Sequence, residues 1–246
     1  MVNVKREIFK WLLHAGAKND TIRRLTLSTL PMIHGSIMLS VFRCYSPQSL
    51  LEIGVGDGRT LELFLSEVQP SSNEGLRYIG FDTFDDGLPS SDESRTDESS
   101  SKDSFWRFQN VPMGDIESIA VESKTKCSVD LVKGNTKTTL PESVPRFNPV
   151  DMVYIDGGHS YETVKSDYRS VRPLVSRGGV VVFDDLIAEP GVTEFCTELL
   201  SQTDTPKTHA IITPPSFRPQ ESVTLILEFS DEVCEGTSNT QTNPLR

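Results

Sequence analysis

Short, largely apolar runs that stop on glycine or aspartate recur along this chain, and each is followed by a stretch with helical periodicity. The run Ser49–Ile53 leads into Gly54-Val55-Gly56-Asp57-Gly58, 77–81 into Asp82, 152–155 into Asp156-Gly157-Gly158-His159, and 179–183 into Asp184-Asp185. Runs such as Gly-Val-Val-Val-Phe are strands buried on both faces, the mark of a parallel sheet. Parallel neighbours need a crossover, normally a helix, between them. The pattern therefore predicts an α/β fold: a mostly parallel sheet with helices on both faces. In such a sheet ligands bind beyond the carboxyl ends of the strands, which is where the glycines and aspartates fall.

At 246 residues the chain has the length of one domain with a substantial core. Helical periodicity over 4–18 and 31–45 precedes the first strand, so 1–46 reads as a region of N-terminal helices and 47–229 as the α/β domain. Within that domain we expect helices at 59–68, 115–121, 161–175 and 192–200. Further strands at 129–132, 208–212 and 223–229 bring the sheet to seven. The segment 85–103 holds seven acidic residues, two basic ones and six serines. It has almost nothing to bury, and is expected to be a disordered insert or a solvated lid. The tail 230–246 has only Val233, Cys234 and Leu245 as apolar residues and is expected to be disordered.

Charge narrows the partners. Lys and Arg number 24 against 35 Asp and Glu, a net −11, which opposes a general affinity for nucleic-acid backbones or anionic membranes. No apolar run reaches the length of a membrane span, and the one near the amino terminus, 8–13, is short for a signal peptide. Cys44, Cys127, Cys196 and Cys234 are widely spaced and form no CxxC pair, which favours reduced thiols over a disulfide framework. The expectation is a cytoplasmic protein acting on a small molecule, with neither nucleic acid nor membrane as partner, and with a homo-oligomer left open.

The strand ends carry the candidate chemistry. Glycines after the first strand let the backbone turn sharply and approach a ligand, and the next helix offers its first N–H groups. The spacing is GxGxG rather than the GxGxxG of a dinucleotide fingerprint, so an NAD enzyme is disfavoured. Asp82, 24 residues beyond Gly58, suits hydrogen bonds to ribose hydroxyls, or else it is a surface turn residue. If the strands ending at Asp156 and at Asp184-Asp185 are neighbours, three carboxylates converge, and such a group either binds a hard divalent cation or holds a raised pKa. Oxygen ligands favour Mg²⁺, then Mn²⁺ or Ca²⁺. His159 can take a proton from a bound hydroxyl, serve as a ligand, or cap a helix, just as Asp184 and Asp185 can cap the next helix or loop.

LEIGVGDG, YIGFD, VYIDGGHSYETVKSDY and GGVVVFDD, in that order, resemble a class I S-adenosylmethionine-dependent methyltransferase, with a Rossmann-like sheet. Together with FDTFDDGLP at 81–89 they are similar to the macrocin-type O-methyltransferases and cephalosporin-hydroxylase-like proteins, methyltransferase family 24. The resemblance implies that Glu52, Gly54, Val55 and Gly56 line the cofactor's methionine end. Asp82 and Thr83 would then meet its ribose, Gly134 and Asn135 its adenine, with Asp156 also near it. It implies Asp156, Asp184 and Asp185 as ligands of Mg²⁺ or another divalent cation. The catechol-type enzymes have a lysine base three residues past the first ligand, where this chain has His159. The resulting expectation is a metal-dependent O-methyltransferase for a small hydroxylated molecule, a sugar among the candidates. A metal-independent methyltransferase with another acceptor and a non-catalytic cofactor-binding module are the alternatives.

Overall fold

A computed structural model describes residues 34–68, 75–84, 112–123, 125–147, 149–202, 206–213 and 222–229. The expected helix at 4–18, the acidic segment 85–103 and the tail 230–246 lie outside the described residues.

In chain order the elements are α1 (His34–Tyr45), β1 (Ser49–Ile53), α2 (Arg59–Glu67), β2 (Leu76–Asp82), α3 (Met113–Glu122), β3 (Cys127–Lys133), α4 (Thr136–Ser143), β4 (Val150–Ile155), α5 (Tyr161–Val171), β5 (Val175–Leu186), α6 (Pro190–Leu200), β6 (Lys207–Thr213) and β7 (Ser222–Glu228). They form one seven-stranded sheet in the order β3-β2-β1-β4-β5-β7-β6. The strands β1 to β5 run parallel to their neighbours, and β7 enters antiparallel between β5 and β6. The order reverses between β1 and β4, where Leu50 stands opposite Met152 and Ile53 opposite Ile155. That switch point is where an open α/β sheet leaves a crevice for a ligand.

Alternation along the strands sorts the core into two layers. Leu51, Ile53, Val153, Ile155, Val181 and Phe183 pack with Leu140, Val164, Val171 and Phe195 of α4, α5 and α6. Leu50, Met152, Tyr154, Val180 and Val182 pack on the other face with Met38 and Phe42 of α1, Leu61 and Phe64 of α2, and Ile116 of α3. The rings of Phe42 and Phe64 stack at 4.6 Å, fixing α1 against α2. The period of two is what strand geometry demands when both faces are covered.

The amino edge is knotted by one carboxylate. Asp151 Oδ2 accepts the N–H groups of Gln48 and Ser49 at 3.0 Å and the Ser49 hydroxyl at 2.9 Å, while Oδ1 accepts the Ser176 hydroxyl at 3.0 Å. Asp151 thus ties the starts of β1 and β5 to β4, and beyond it the β4–β5 pair shifts register between Val150 and Met152 before running evenly from Met152–Val180 to Ile155–Phe183. Among the described residues, Cys44, Cys127 and Cys196 form no disulfide.

Candidate active site at the carboxyl edge

The ends of β1 and β4 lie against each other so closely that side chains are excluded. Gly54 has φ 89° and donates its N–H to the Phe81 carbonyl at 2.9 Å. A Cβ at Gly54 would stand 2.1 Å from the Asp156 carbonyl oxygen, so only glycine fits. Gly56 (φ 57°) and Gly58 (φ 80°) continue the turn in the left-handed region. Val55 sends its side chain into the core, 4% exposed, leaving its backbone to the turn.

Asp82, at the end of β2, clamps this turn. One oxygen accepts the Gly56 N–H at 2.9 Å; the other accepts the Phe84 N–H at 3.0 Å and the Thr83 hydroxyl at 3.3 Å. Its carbonyl receives the Gly134 N–H at 2.9 Å, which ties the end of β3 to that of β2. Asn135 comes next, with its side-chain oxygen accepting the Lys137 N–H at 3.0 Å at the start of α4. The predicted residues Gly54, Val55, Gly56, Asp82, Thr83, Gly134 and Asn135 thus line three adjoining strand ends.

A row of polar groups runs beneath this edge on the α1–α3 face. Glu52 is 1% exposed and accepts a hydrogen bond from the Tyr78 hydroxyl. In register beside Glu52 is Tyr154, itself fully buried, whose hydroxyl donates to Asp156 Oδ2 at 2.9 Å. Burial, and then the charges of Asp156, Asp184 and Glu52, hold the Tyr154 phenol well above its ordinary pKa. It is therefore a permanent donor, and it fixes how Asp156 points.

Asp156, His159 and Asp185 each offer one ligand atom within 4.8 Å of the others. His159 Nε2 is 3.5 Å from Asp185 Oδ2, and Nδ1 is 3.9 Å from Glu189 Oε1. Two ligand atoms on one ion are separated by at most twice the bond length, about 4.2 Å for Mg²⁺ and about 5 Å for Ca²⁺. The 4.8 Å span is within well under an ångström of what Mg²⁺ requires, and the imidazole disfavours Ca²⁺, which takes oxygen ligands. Two carboxylates and one imidazole are donors that Mn²⁺ also accepts.

The expected third carboxylate lies elsewhere. Asp184 is 4% exposed and its Oδ1 accepts the Thr224 hydroxyl of β7 at 3.3 Å, outside the cluster of Asp156, His159 and Asp185. Alternation puts Asp184 on the face of Val182 and Tyr154, where it is buried against Thr224 of β7, whereas Asp185, at φ 58°, leaves the alternation and joins Asp156 and His159. Sequence reasoning missed two neighbours of the cluster, Tyr154 and Glu189. Tyr154 carried a signal, because two residues before Asp156 in a strand is the same face.

A family model described as a methyltransferase domain matches residues 51–186, more than half of the chain and every strand end just described. The chain belongs to this methyltransferase family, and it is an S-adenosylmethionine-dependent enzyme of the class I, Rossmann-like fold. No curated protein matches it. Among solved structures it is similar to the O-methyltransferase TomG from Streptomyces achromogenes in complex with SAM, at 17% identity and TM-score 0.53 over 94% of this chain and 100% of that one. The calicheamicin methyltransferase CalS11 aligns at 22% identity and TM-score 0.54, over 89% and 93% of the two chains. An O-methyltransferase from Bacillus cereus in complex with SAH aligns at 12% identity and TM-score 0.56, over 89% and 97%. Among the described residues, no helix is long and apolar enough to cross a membrane.

Proposed function

We propose that this enzyme is a divalent-metal-dependent O-methyltransferase acting on a small hydroxylated molecule, with a sugar as the leading acceptor. The observation that carries the reading is the placement of Asp156, His159 and Asp185 within 4.8 Å of one another, directly beside the Gly54 turn. TomG and the Bacillus cereus protein are named O-methyltransferases, and CalS11 is described as a TDP-rhamnose 3′-O-methyltransferase, which makes sugars the first acceptors to try.

Glu52, Gly54, Val55 and Gly56 hold the methionine end of the cofactor, Asp82 and Thr83 its ribose, and Gly134 and Asn135 its adenine side. A carboxylate has about four acceptor positions, so Asp82 can clamp the turn through three hydrogen bonds and still receive a ribose hydroxyl. Asp156 and Asp185 hold the cation, which when bound lowers the pKa of the acceptor hydroxyl and fixes its direction. His159 takes the hydroxyl proton. S-adenosylmethionine held there would supply the methyl group, whose in-line transfer to that oxygen, O–CH₃ forming as S–CH₃ breaks, would leave a neutral thioether. The protein's main contribution is alignment of the two reactants. Neither nucleic acid nor a membrane surface has a part in this chemistry.

The test is removal of the metal. Excess EDTA should abolish methyl transfer to a panel of hydroxylated metabolites while calorimetry still shows S-adenosylmethionine binding, because the glycine turn belongs to another strand. Full activity in excess EDTA would refute the metal role and favour a metal-independent methyltransferase.

A further inference from the structure

The turn that joins β5 to α6 holds its backbone in a form that its residue types resist. Asp185 (φ 58°) and Ile187 (φ 79°) are both left-handed, and for a β-branched residue this is an outlier. Such conformations persist only where the surroundings over-determine them, and they collect at ligand clamps.

The surroundings are specific. The Thr193 hydroxyl, one turn into α6, accepts the Ile187 N–H at 2.9 Å and donates to the Glu189 carbonyl at 2.9 Å. The Glu189 N–H returns to the Asp185 carbonyl at 2.9 Å. Ile187 is 9% exposed, its side chain part of the core. The start of α6 also presses on the loop that carries His159: a Cβ at Gly191 would fall 2.4 Å from the His159 carbonyl oxygen and 2.5 Å from the Tyr161 nitrogen. One turn thus carries Asp185 and Glu189, the two carboxylates that flank His159, and one hydroxyl closes it from both sides.

We propose that Thr193 is the positioning residue of this cluster. Its hydroxyl keeps the turn 185–189 left-handed, and so aims Asp185 at Asp156 and His159. The proposal rests on the reading that the cluster holds a divalent cation. Thr193 touches none of the ligand atoms and acts only through the backbone of the turn. Valine has the same shape but can neither accept from Ile187 nor donate to Glu189. Without those bonds Ile187 relaxes toward negative φ and swings Asp185 out of line. Serine retains both bonds.

The experiment titrates Mn²⁺ into the full chain, following loss of the free-ion signal by electron paramagnetic resonance, with S-adenosylmethionine affinity measured on the same preparations. Wild type and Thr193→Ser should bind Mn²⁺ alike, and Thr193→Val roughly 10- to 100-fold more weakly, the range for lesions behind a metal ligand. All three should bind S-adenosylmethionine equally. Equal Mn²⁺ affinity in wild type and Thr193→Val overturns the positioning role and leaves the metal reading standing. No Mn²⁺ binding by wild type overturns the metal reading and the positioning role with it. Loss of both ligands in Thr193→Val and in the smaller Thr193→Ala would show that the hydroxyl supports the fold as a whole, and would also overturn the proposal.

Discussion

Asp167 provides a stability prediction whose sign runs against intuition. It lies on α5 with 0% of its surface exposed, and neither carboxylate oxygen has a hydrogen-bond partner of good geometry. Burial pushes its pKa from 3.8 up to about 7; the Thr136 hydroxyl and the Lys137 charge pull the other way without offsetting it. An aspartate with a raised folded-state pKa binds its proton more tightly folded than unfolded. Its contribution is therefore favourable at low pH and is lost as pH rises from about 4 to about 7. The full span between those two values is about 4 kcal/mol, at 1.36 kcal/mol for each tenfold change in proton concentration. Asp167→Asn, which resembles the protonated acid in shape, removes the slope. We expect the variant to match wild type near pH 4 and to be as much as about 4 kcal/mol more stable at pH 8. At roughly 2 to 4 °C per kcal/mol for a chain of this size, that is a rise in Tm of roughly 8 to 16 °C. Denaturant unfolding of both proteins from pH 4 to pH 8 isolates this group, because every other titration cancels in the difference. A variant no more stable than wild type at pH 8, or a difference that does not change with pH, would refute the argument.

Three further outcomes are expected from the geometry of the carboxyl edge. Gly54→Ala should cost at least about 2 kcal/mol of stability, from a left-handed backbone and a clash with the Asp156 carbonyl, and should abolish cofactor binding; calorimetry and thermal unfolding check both. Asp82→Ala should weaken S-adenosylmethionine binding by about 1.5 to 3 kcal/mol, because it removes charge-assisted hydrogen bonds and releases Gly56; unchanged affinity by calorimetry would remove Asp82 from the site. Tyr154→Phe should leave the fold intact and weaken divalent-cation binding about tenfold or more through loss of the hydrogen bond to Asp156, read by Mn²⁺ titration.

The strands were legible because buried parallel strands have little freedom of composition: β1 and β2 fall where the apolar runs are. The structure extends β5 back to Val175, taking in Arg177 and Gly178, which lay between the expected helix 161–175 and the expected strand 179–183, and it ends α5 at Val171. The helix α4 was missed altogether. Its sequence, Thr-Lys-Thr-Thr-Leu-Pro-Glu-Ser, has three β-branched residues and an internal proline, so local propensity opposes it. Tertiary packing forms it, through Leu140, fully buried against the sheet. Within the site, the glycine turn and the strand-end aspartates were readable from residue type. The exchange of Asp184 for His159 in the cluster was not, because it depends on the backbone reversal at Asp185, which leaves no mark in composition. Asp167 did leave one. It sits three residues after Val164 and four before Val171, on the apolar stripe of its helix.

The knot at Asp151 has a consequence for how the chain is made. Ser49 and Asp151 are 102 residues apart, and between them the ribosome produces α2, β2, α3, β3 and α4. At about 5 to 20 residues per second, one side of β1 stands without its partner strand for roughly 5 to 20 s. A half-sheet of β1, β2 and β3 would then offer the apolar edge of its innermost strand to the cell, and such an edge is a template for pairing with other chains. Two of the carboxylate's partners, the Gln48 and Ser49 N–H groups, stay solvated until Asp151 arrives. The wait of β1 for its second neighbour therefore ends with synthesis of the strand that also delivers Asp156, so that covering of this edge and assembly of the catalytic cluster begin with the same event.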